Sequence, residues 1–143
     1  MEYDIRIEQT AARPTAVIAA TTTWARFPTL WGELLGEVWA GGARKGCRNI
    51  MLYLDDTPSV EIGVEFTVPF ALTGRIVASA LPAGRVATTV HHGSYADLGL
   101  AHRAVADWCA ERGEHPTGVR WEVYGPDAPT PWVEISWLLQ GSE

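Results

Sequence analysis

The stretch VEIGV at residues 60–64 returns as VEISW at residues 133–137. Each copy follows a segment that contains a tyrosine and then a turn rich in proline and aspartate, MLYLDDTP at residues 51–58 and EVYGPDAP at residues 122–129. A repeat of about 70 residues is too long for the unit of a solenoid and too short for two independent domains. The repeat therefore predicts two similar half-units fused into one domain, with a groove where they meet. We expect function to reside where the two halves differ.

Length and composition predict one compact domain that covers residues 1–143. Hydrophobic residues make up 47% of the chain and charged residues 20%, which excludes a disordered chain and a membrane protein. No apolar run approaches the roughly 20 residues that a membrane helix needs. The N-terminus, Met1-Glu2-Tyr3-Asp4, is acidic and has no signal-peptide pattern. We therefore expect a cytoplasmic protein without a membrane partner.

The charge and the metal-binding residue types argue against several classes of function. A net charge of −6 differs from that of nucleic-acid-binding proteins, which neutralise phosphates with basic patches, so no direct nucleic-acid partner is expected. Cys47 and Cys109 have no CxxC or His-paired spacing, and His91 and His92 are neighbours in a predicted strand and face opposite ways. The chain also lacks a P-loop and a dinucleotide fingerprint. The sequence therefore predicts neither a metal site nor a cofactor.

Hydrophobic periodicity predicts the same order of elements in both halves. In the first half, apolar residues recur at helical spacing over residues 27–39, and Pro28 suits the first turn. In the second half, Ser94 and Asp97 form a capping-box-like start to a helix that ends before Gly113. Strands are predicted at residues 3–10, 14–23, 49–54, 59–68, 71–81, 85–92, 119–124 and 132–139.

These elements predict an α+β fold built from duplicated β-α-β-β modules. The modules are expected to form one antiparallel sheet with two helices on one face and a ligand groove between the halves. The pseudo-repeats cover about residues 15–68 and 85–139, and we expect them to superpose about a pseudo-two-fold axis.

Strand alternation separates groove residues from core residues. In the strand at residues 119–124 the apolar set is the better core set, which leaves Arg120, Glu122 and Tyr124 for the groove. When the repeats are aligned by their tyrosines, Met51 corresponds to Glu122 and Tyr53 to Tyr124. The residues expected in the core, on the face opposite Glu122, are Val60, Ile62, Val64, Val119, Trp121, Val123, Val133, Ile135 and Trp137.

Glu122 is an unusual residue for the middle of a strand, where glutamate is depleted. A carboxylate buried alone is costly unless it is paired, protonated or used. Two interpretations follow from the residues: a solvated glutamate that pairs with Arg120, or a functional carboxylate in the groove.

Seven tryptophans are more than a core of this size needs. Four of them, Trp31, Trp39, Trp108 and Trp137, are expected to fill the core. Aromatic residues beside turns and on groove strands could form a wall of the kind that binds flat or cationic ligands; these are Trp24, Trp132, Tyr53, Tyr95 and Tyr124.

The order of these motifs resembles the GyrI-like effector-binding family, the effector-binding domains of bacterial transcription activators. The motifs are HHGSY at residues 91–95 and WEVYGPD at residues 121–127, similar to the family's H-x-G-x-Y segment and its E-x-Y strand with a Pro/Asp turn. Ser94 stands where a proline is common. The duplicated modules are also similar to the paired SHS2 modules of that family. The resemblance covers nearly the whole chain.

The resemblance implies a groove between the halves in which a central acidic residue contacts cationic or polarised aromatic compounds. Glu122 matches that acidic position, Tyr95 matches the tyrosine of H-x-G-x-Y, and Tyr124 matches the tyrosine of E-x-Y. Many relatives carry a helix-turn-helix as well, for which this chain has no room. The residues predicted to bind the ligand are Glu122, Tyr53, Tyr95, Tyr124, Met51, Trp24 and Trp132.

Three functions stay open at this point. The first is a stand-alone binding protein for hydrophobic, often cationic, aromatic small molecules, which could sequester or sense drugs. The second is a hydrolase that opens cyclopropane-containing DNA-alkylating natural products. There Glu122 would be the general base and a groove tyrosine such as Tyr124 would stabilise a developing phenolate. The third is a protein-interaction module such as a gyrase inhibitor. Neither the natural ligand nor the oligomeric state follows from the sequence.

Overall fold

The computed structural model describes residues 3–42, 47–65, 72–125 and 131–141. Residues 66–68 of the strand predicted at 59–68, residue 71 of the strand predicted at 71–81, and the second Pro/Asp turn at residues 126–129 lie outside these ranges. The described elements are β1 (Arg6–Thr10), β2 (Arg13–Thr21), α1 (Phe27–Ala40), β3 (Arg48–Tyr53), β4 (Ser59–Glu65), β5 (Val77–Leu81), β6 (Gly84–His92), α2 (Leu98–Glu111), β7 (Pro116–Tyr124) and β8 (Trp132–Leu139).

The eight strands form one antiparallel sheet in the order β1-β6-β8-β7-β3-β4-β2-β5. The predicted α+β class, with one sheet and two helices, is confirmed. The order is symmetric about the central β3–β7 pair if β1, β2, β3 and β4 are matched with β5, β6, β7 and β8. This symmetry supports the predicted superposition of residues 15–68 on residues 85–139, which stays a prediction.

The outer strands are exchanged between the halves. β1 precedes β2 in the chain but pairs with β6, where Ile7 lies opposite Ala87. β5 precedes β6 but pairs with β2, where Ser79 lies opposite Thr15. Each half therefore supplies the outer strand of the other half.

Two short links require this sheet to curl. Only residues 11 and 12 join β1 to β2, and only residues 82 and 83 join β5 to β6. In both cases the linked strands stand six places apart in the sheet. Six strand spacings would span about 29 Å in a flat sheet, whereas three Cα steps reach at most about 11 Å. The sheet bends until its ends approach, which encloses an apolar cluster of Val17, Ile50, Leu52, Leu81, Val86, Trp121 and Val123.

Both helices cover the other face of the sheet. In α1 the apolar stripe buries Leu34, Leu35 and Val38 against the central strands, Pro28 stands in the first turn, and the helix ends at Gly41. In the second half Ser94 accepts a hydrogen bond from Ala96 N and caps a short 3-10 turn, Tyr95–Asp97, before α2 begins. The α2 residues Ala101, Val105 and Cys109 are buried against β6 and β8.

Cross-strand pairing corrects the predicted assignment of faces. Glu122 lies opposite Met51 on one side and Ile135 on the other, and directly opposed residues point to the same face of a sheet. Ile135 packs in the cluster beneath α2. The apolar residues of β4 and β8 therefore share the helix-covered face with Glu122, and the prediction that they lie opposite it was wrong. Trp121 does lie opposite, as predicted.

The physical reason for this error is the curl. Alternation shows which residues of one strand share a face. Which residues of neighbouring strands share that face depends on which face of the sheet is buried. Here the helices bury one face and the curl buries the other, so both faces carry apolar side chains. The strand predicted at residues 71–81 is also shorter than expected, because β5 begins at Val77.

Within the described ranges, neither helix is long and apolar enough to cross a membrane.

Candidate functional site

A groove of about 930 Å³ lies on the helix-covered face, between α1 and α2 and above the central strands β3 and β7. Its lining is mainly aromatic and apolar, with a few charged groups. The lining residues are Trp24, Phe27, Pro28, Trp31, Met51, Tyr53, Asp56, Tyr95, Leu98, Gly99, His102, Arg103, Ala106, Gly118, Arg120, Glu122, Tyr124 and Trp137.

Much of this lining occurs in equivalent pairs. The separation in sequence between Phe27 and Leu98, the first residues of the two helices, is also the separation between Met51 and Glu122. The same separation relates Trp24 to Tyr95, Pro28 to Gly99, Trp31 to His102 and Tyr53 to Tyr124, all of them groove residues. The two half-units therefore build the groove from matching positions and furnish those positions with different side chains.

Glu122 lies at the centre of the groove floor and is 4% exposed. Both of its carboxylate oxygens have hydrogen-bond partners. Oε1 accepts a hydrogen bond of 2.7 Å from the Tyr124 hydroxyl, and Oε2 lies 2.6 Å from His102 Nε2. These contacts satisfy a group that would otherwise be costly to bury.

Trp137 determines the proton arrangement of His102. Trp137 Nε1 donates to His102 Nδ1 at 3.0 Å, and because an indole nitrogen can only donate, His102 Nδ1 must accept. A neutral imidazole with an accepting Nδ1 carries its hydrogen on Nε2, which then donates to Glu122. A second proton on Nδ1 would face the Trp137 N–H. With Nδ1 occupied as an acceptor, His102 Nε2 is the nitrogen that donates to Glu122.

The two equivalent tyrosines are held in the phenol form. Burial, then the negative charge of Glu122 and the hydrogen bond to it, raise the pKa of Tyr124 far above its ordinary value. Burial and the charge of Glu122 also raise the pKa of Tyr53, while the positive charge of Arg120 acts in the opposite direction. Neither hydroxyl can serve as a phenolate near neutral pH.

Aromatic rings form both walls of the groove. On the first-half side, Trp24, Phe27 and Tyr53 contact one another with ring centroids 5.6–5.9 Å apart. On the second-half side, Tyr95 meets Tyr124 edge to face at 5.5 Å. These are the distances of favourable aromatic pairs, and the walls present extended ring surface to the groove.

The HHGSY segment positions Tyr95 at the groove entrance. His91 is fully buried, and its Nε2 donates to the Ser94 carbonyl at 2.8 Å while its Nδ1 lies 2.8 Å from the Tyr3 hydroxyl. Gly93 has φ +116°, a conformation that favours glycine. The buried histidine and the glycine therefore fix the turn from which Tyr95 projects.

Comparison with known proteins identifies the family. The GyrI-like small molecule binding domain matches residues 3–136 of the chain. The chain belongs to this family. No curated protein sequence matches it.

Among solved structures, the GyrI-like fold of this chain is similar to that of the EcmrR C-terminal domain, with a TM-score of 0.74 and 19% identity over 99% of this chain and 100% of that one. It is also similar to SAV2435 bound to tetraphenylphosphonium, with a TM-score of 0.66 and 12% identity over 99% of this chain and 95% of that one. A hydrolase from Listeria innocua has a TM-score of 0.56 and 8% identity over 95% of this chain and 91% of that one. At these identities the likeness shows the fold alone.

The groove brings together six of the seven residues predicted for ligand binding, namely Glu122, Tyr53, Tyr95, Tyr124, Met51 and Trp24. Trp132 does not line it. A Cβ added to Gly125 would lie 2.1 Å from the Trp132 ring, and the Arg48 guanidinium lies 5.3 Å from that ring's centroid. Trp132 packs beside the groove strands instead.

Sequence reasoning missed His102 and assigned Trp31 and Trp137 to the core, although all three line the groove. One signal was present: Leu98, His102 and Ala106 follow one another at helical spacing, beside the buried stripe of α2. That spacing marks a helix face next to the core, where a groove between two helices would lie.

Within the part of the chain that the structure describes, no three potential metal ligands lie close enough to hold an ion.

Proposed function

We propose that this GyrI-like groove binds hydrophobic, cationic aromatic small molecules, and that the protein sequesters or senses them. The observation that carries the proposal is the environment of Glu122. It is a buried carboxylate that accepts hydrogen bonds from His102 and Tyr124. Among the described residues no lysine or arginine forms an ion pair with it, and charge interactions in such a buried site are stronger than in water.

The shape and lining of the groove support the same ligand class. A volume of about 930 Å³ suits a drug-sized molecule. Aromatic rings such as Trp24, Tyr53 and Tyr95 stand around the central carboxylate, and ring faces attract cations. A flat or globular cation could contact the rings while its charge faces Glu122.

The test measures the affinity for tetraphenylphosphonium through quenching of tryptophan fluorescence. Glu122→Gln keeps the size of the side chain and removes its charge, so the dissociation constant is expected to rise about tenfold or more, which corresponds to ~1.4 kcal/mol. Triphenylphosphine oxide, a neutral aromatic probe, should lose much less affinity in the same variant.

Glu111→Gln is the matched control, because Glu111 is exposed at the end of α2 and its substitution changes the net charge by the same amount. This control should bind tetraphenylphosphonium as the wild type does. Equal affinity of the Glu122→Gln variant and the wild type would contradict the proposal.

The hydrolase alternative makes a different demand on the same carboxylate. A general base must direct a lone pair at water; each oxygen of Glu122 has one further lone pair, but the hydrogen bonds that it accepts in this structure both come from protein groups, His102 and Tyr124. We expect cyclopropane-containing compounds to be recovered unchanged after incubation, as mass spectrometry would show. Product formation that disappears in Glu122→Gln would favour the hydrolase instead, and capture of a protein partner independent of any ligand would favour the interaction module.

A further inference from the structure

The groove already contains a cation supplied by the protein itself. The Arg120 guanidinium carbon lies 5.2 Å from the ring centroid of Tyr53, 5.6 Å from that of Trp137 and 6.0 Å from that of Trp24. All three distances are in the range of cation–π interactions. The Arg120 side chain is 13% exposed, so the charge lies largely within the groove.

The Arg120 guanidinium makes two polar contacts, and both can be broken at low cost. Its Nη1 donates to the Gly118 carbonyl on its own strand at 3.0 Å. Its Nη2 lies 2.9 Å from Asp56 Oδ1, and the Asp56 side chain is 84% exposed. An ion pair with so exposed a partner contributes little, and water can replace that partner if the arginine moves outward.

The equivalent position in the first half shows that the fold does not require an arginine here. By the separation that relates Met51 to Glu122, Arg120 corresponds to Asn49. Asn49 Oδ1 accepts a hydrogen bond of 2.7 Å from Trp39 Nε1 and serves the contact of β3 with α1. Arg120 instead extends over groove rings of both halves, Tyr53 and Trp137 among them.

We propose that Arg120 is an internal cation that occupies the cation subsite of the groove and thereby determines which cations the groove accepts. The inference rests on the proposed function and refines it. A ligand has to replace the contacts of the guanidinium with three rings. Small cations cannot do so, whereas a cation with extended aromatic surface gains more from the walls than Arg120 loses. Arg120 is therefore the specificity-determining residue.

The first arm of the test does not depend on any drug-like ligand. Arg120→Ala removes the atoms of ethylguanidinium, so the vacated subsite should bind added ethylguanidinium at millimolar concentrations, detected by quenching of tryptophan fluorescence. Wild-type protein should bind it at least about tenfold more weakly, because Arg120 holds the subsite. If Arg120→Ala does not fold, Arg120→Ser replaces it. Equal binding by the wild type and the variant overturns the proposal.

The second arm uses tetraphenylphosphonium and separates displacement from simple charge. Arg120→Gln keeps a donor for the Gly118 carbonyl and empties the subsite, so affinity should rise about fivefold to tenfold. Arg103→Gln removes the same charge from an exposed position on the groove wall and should raise affinity only about twofold. Equal increases in the two variants, or a decrease in Arg120→Gln, overturn the proposal.

The two arms also distinguish this inference from the proposed function. If ethylguanidinium binds Arg120→Ala while no form of the protein binds tetraphenylphosphonium, Arg120 does occupy a cation subsite and the proposed ligand class is wrong. If tetraphenylphosphonium binds in a Glu122-dependent way and ethylguanidinium does not distinguish Arg120→Ala from the wild type, the ligand class stands and the inference about Arg120 is wrong.

Discussion

The two halves of the groove have the same framework and opposite chemistry. In the first half Trp31 and Met51 present an apolar surface, and in the second half the equivalent positions are His102 and Glu122. Met51 and Glu122 are also direct neighbours across the β3–β7 pair, at the centre of the sheet. Two carboxylates there would lie side by side, and like charges directly opposed in a sheet are destabilising. Each half of the duplicated fold can therefore contribute the same framework to the groove, but only one half can contribute the central carboxylate.

The largest effect is expected when this difference is removed. Met51→Glu would place a second carboxylate at a position that is 1% exposed and directly opposite Glu122. The free energy of unfolding in urea should fall by about 3 kcal/mol or more. Met51→Leu, which keeps the apolar surface, should cost less than about 1.5 kcal/mol. A Met51→Glu variant as stable as the wild type would show that the two positions are chemically interchangeable.

A smaller effect should come from the partner of the carboxylate. His102→Ala leaves one oxygen of the buried Glu122 and the Trp137 N–H without their partner, and unfolding studies should show a loss of about 2–3 kcal/mol. His102→Gln can restore an N–H donor towards Glu122 and should recover part of that stability. His102 and Trp31 occupy equivalent positions on the two helices. If His102→Ala and Trp31→Ala weakened the binding of tetraphenylphosphonium equally, the two halves of the groove would not differ at these positions.

The equivalent tyrosines should differ as well. Tyr124→Phe removes a hydrogen bond to a buried carboxylate and should lower the free energy of unfolding by about 1.5–2 kcal/mol. Among the described residues no hydrogen bond involves the Tyr53 hydroxyl, so Tyr53→Phe should cost less than about 1 kcal/mol. Similar losses in the two variants would mean that the charge in the second half does not distinguish these positions.

The smallest predicted effect concerns alkaline pH. The pKa of Tyr53 is raised in the folded protein, so its proton is bound more tightly there than in the unfolded chain. The stability that this provides is complete below the unfolded pKa of about 10 and is lost as pH rises beyond it. Between pH 10 and pH 11 the wild type should lose about 1 kcal/mol more than Tyr53→Phe, measured by urea unfolding. Absorbance near 295 nm should also show that Tyr53 and Tyr124 do not ionise before the protein unfolds.

The sequence contained most of the fold because its signals are local. Helical stripes gave α1 and α2 nearly to the residue, and the VEI repeat gave two strands in equivalent places. Local signals did not show which residues of β7 and β8 point to the same face of the sheet. This correspondence depends on the curl of the sheet, which encloses Trp121 on the face opposite the helices, so that both faces of the sheet are buried.

The residues of the candidate site also fall into two groups, those that local motifs predict and those whose contacts involve distant parts of the chain. Glu122, Tyr124 and Tyr95 were found through short motifs, because each lies within a recognisable run of residues. His102 and Arg120 act through partners distant in the chain, Trp137 for the first and Trp24 and Tyr53 for the second. Helical spacing and strand alternation can place these two side chains beside the groove, but their contacts arise only when the strands pair, so a local pattern does not predict the partners.

The exchange of outer strands has a consequence for how the chain reaches its final form. During synthesis β1 is complete long before its partner β6 exists, and β2 awaits β5, so each half emerges with an unsatisfied strand edge. Neither half can finish its own sheet, and the contacts that close it join residues far apart in sequence, a topology associated with slow folding. The two halves should therefore unfold in a single cooperative transition. Fragments made by cleavage after β4 should be poorly structured alone and recover the fold when mixed.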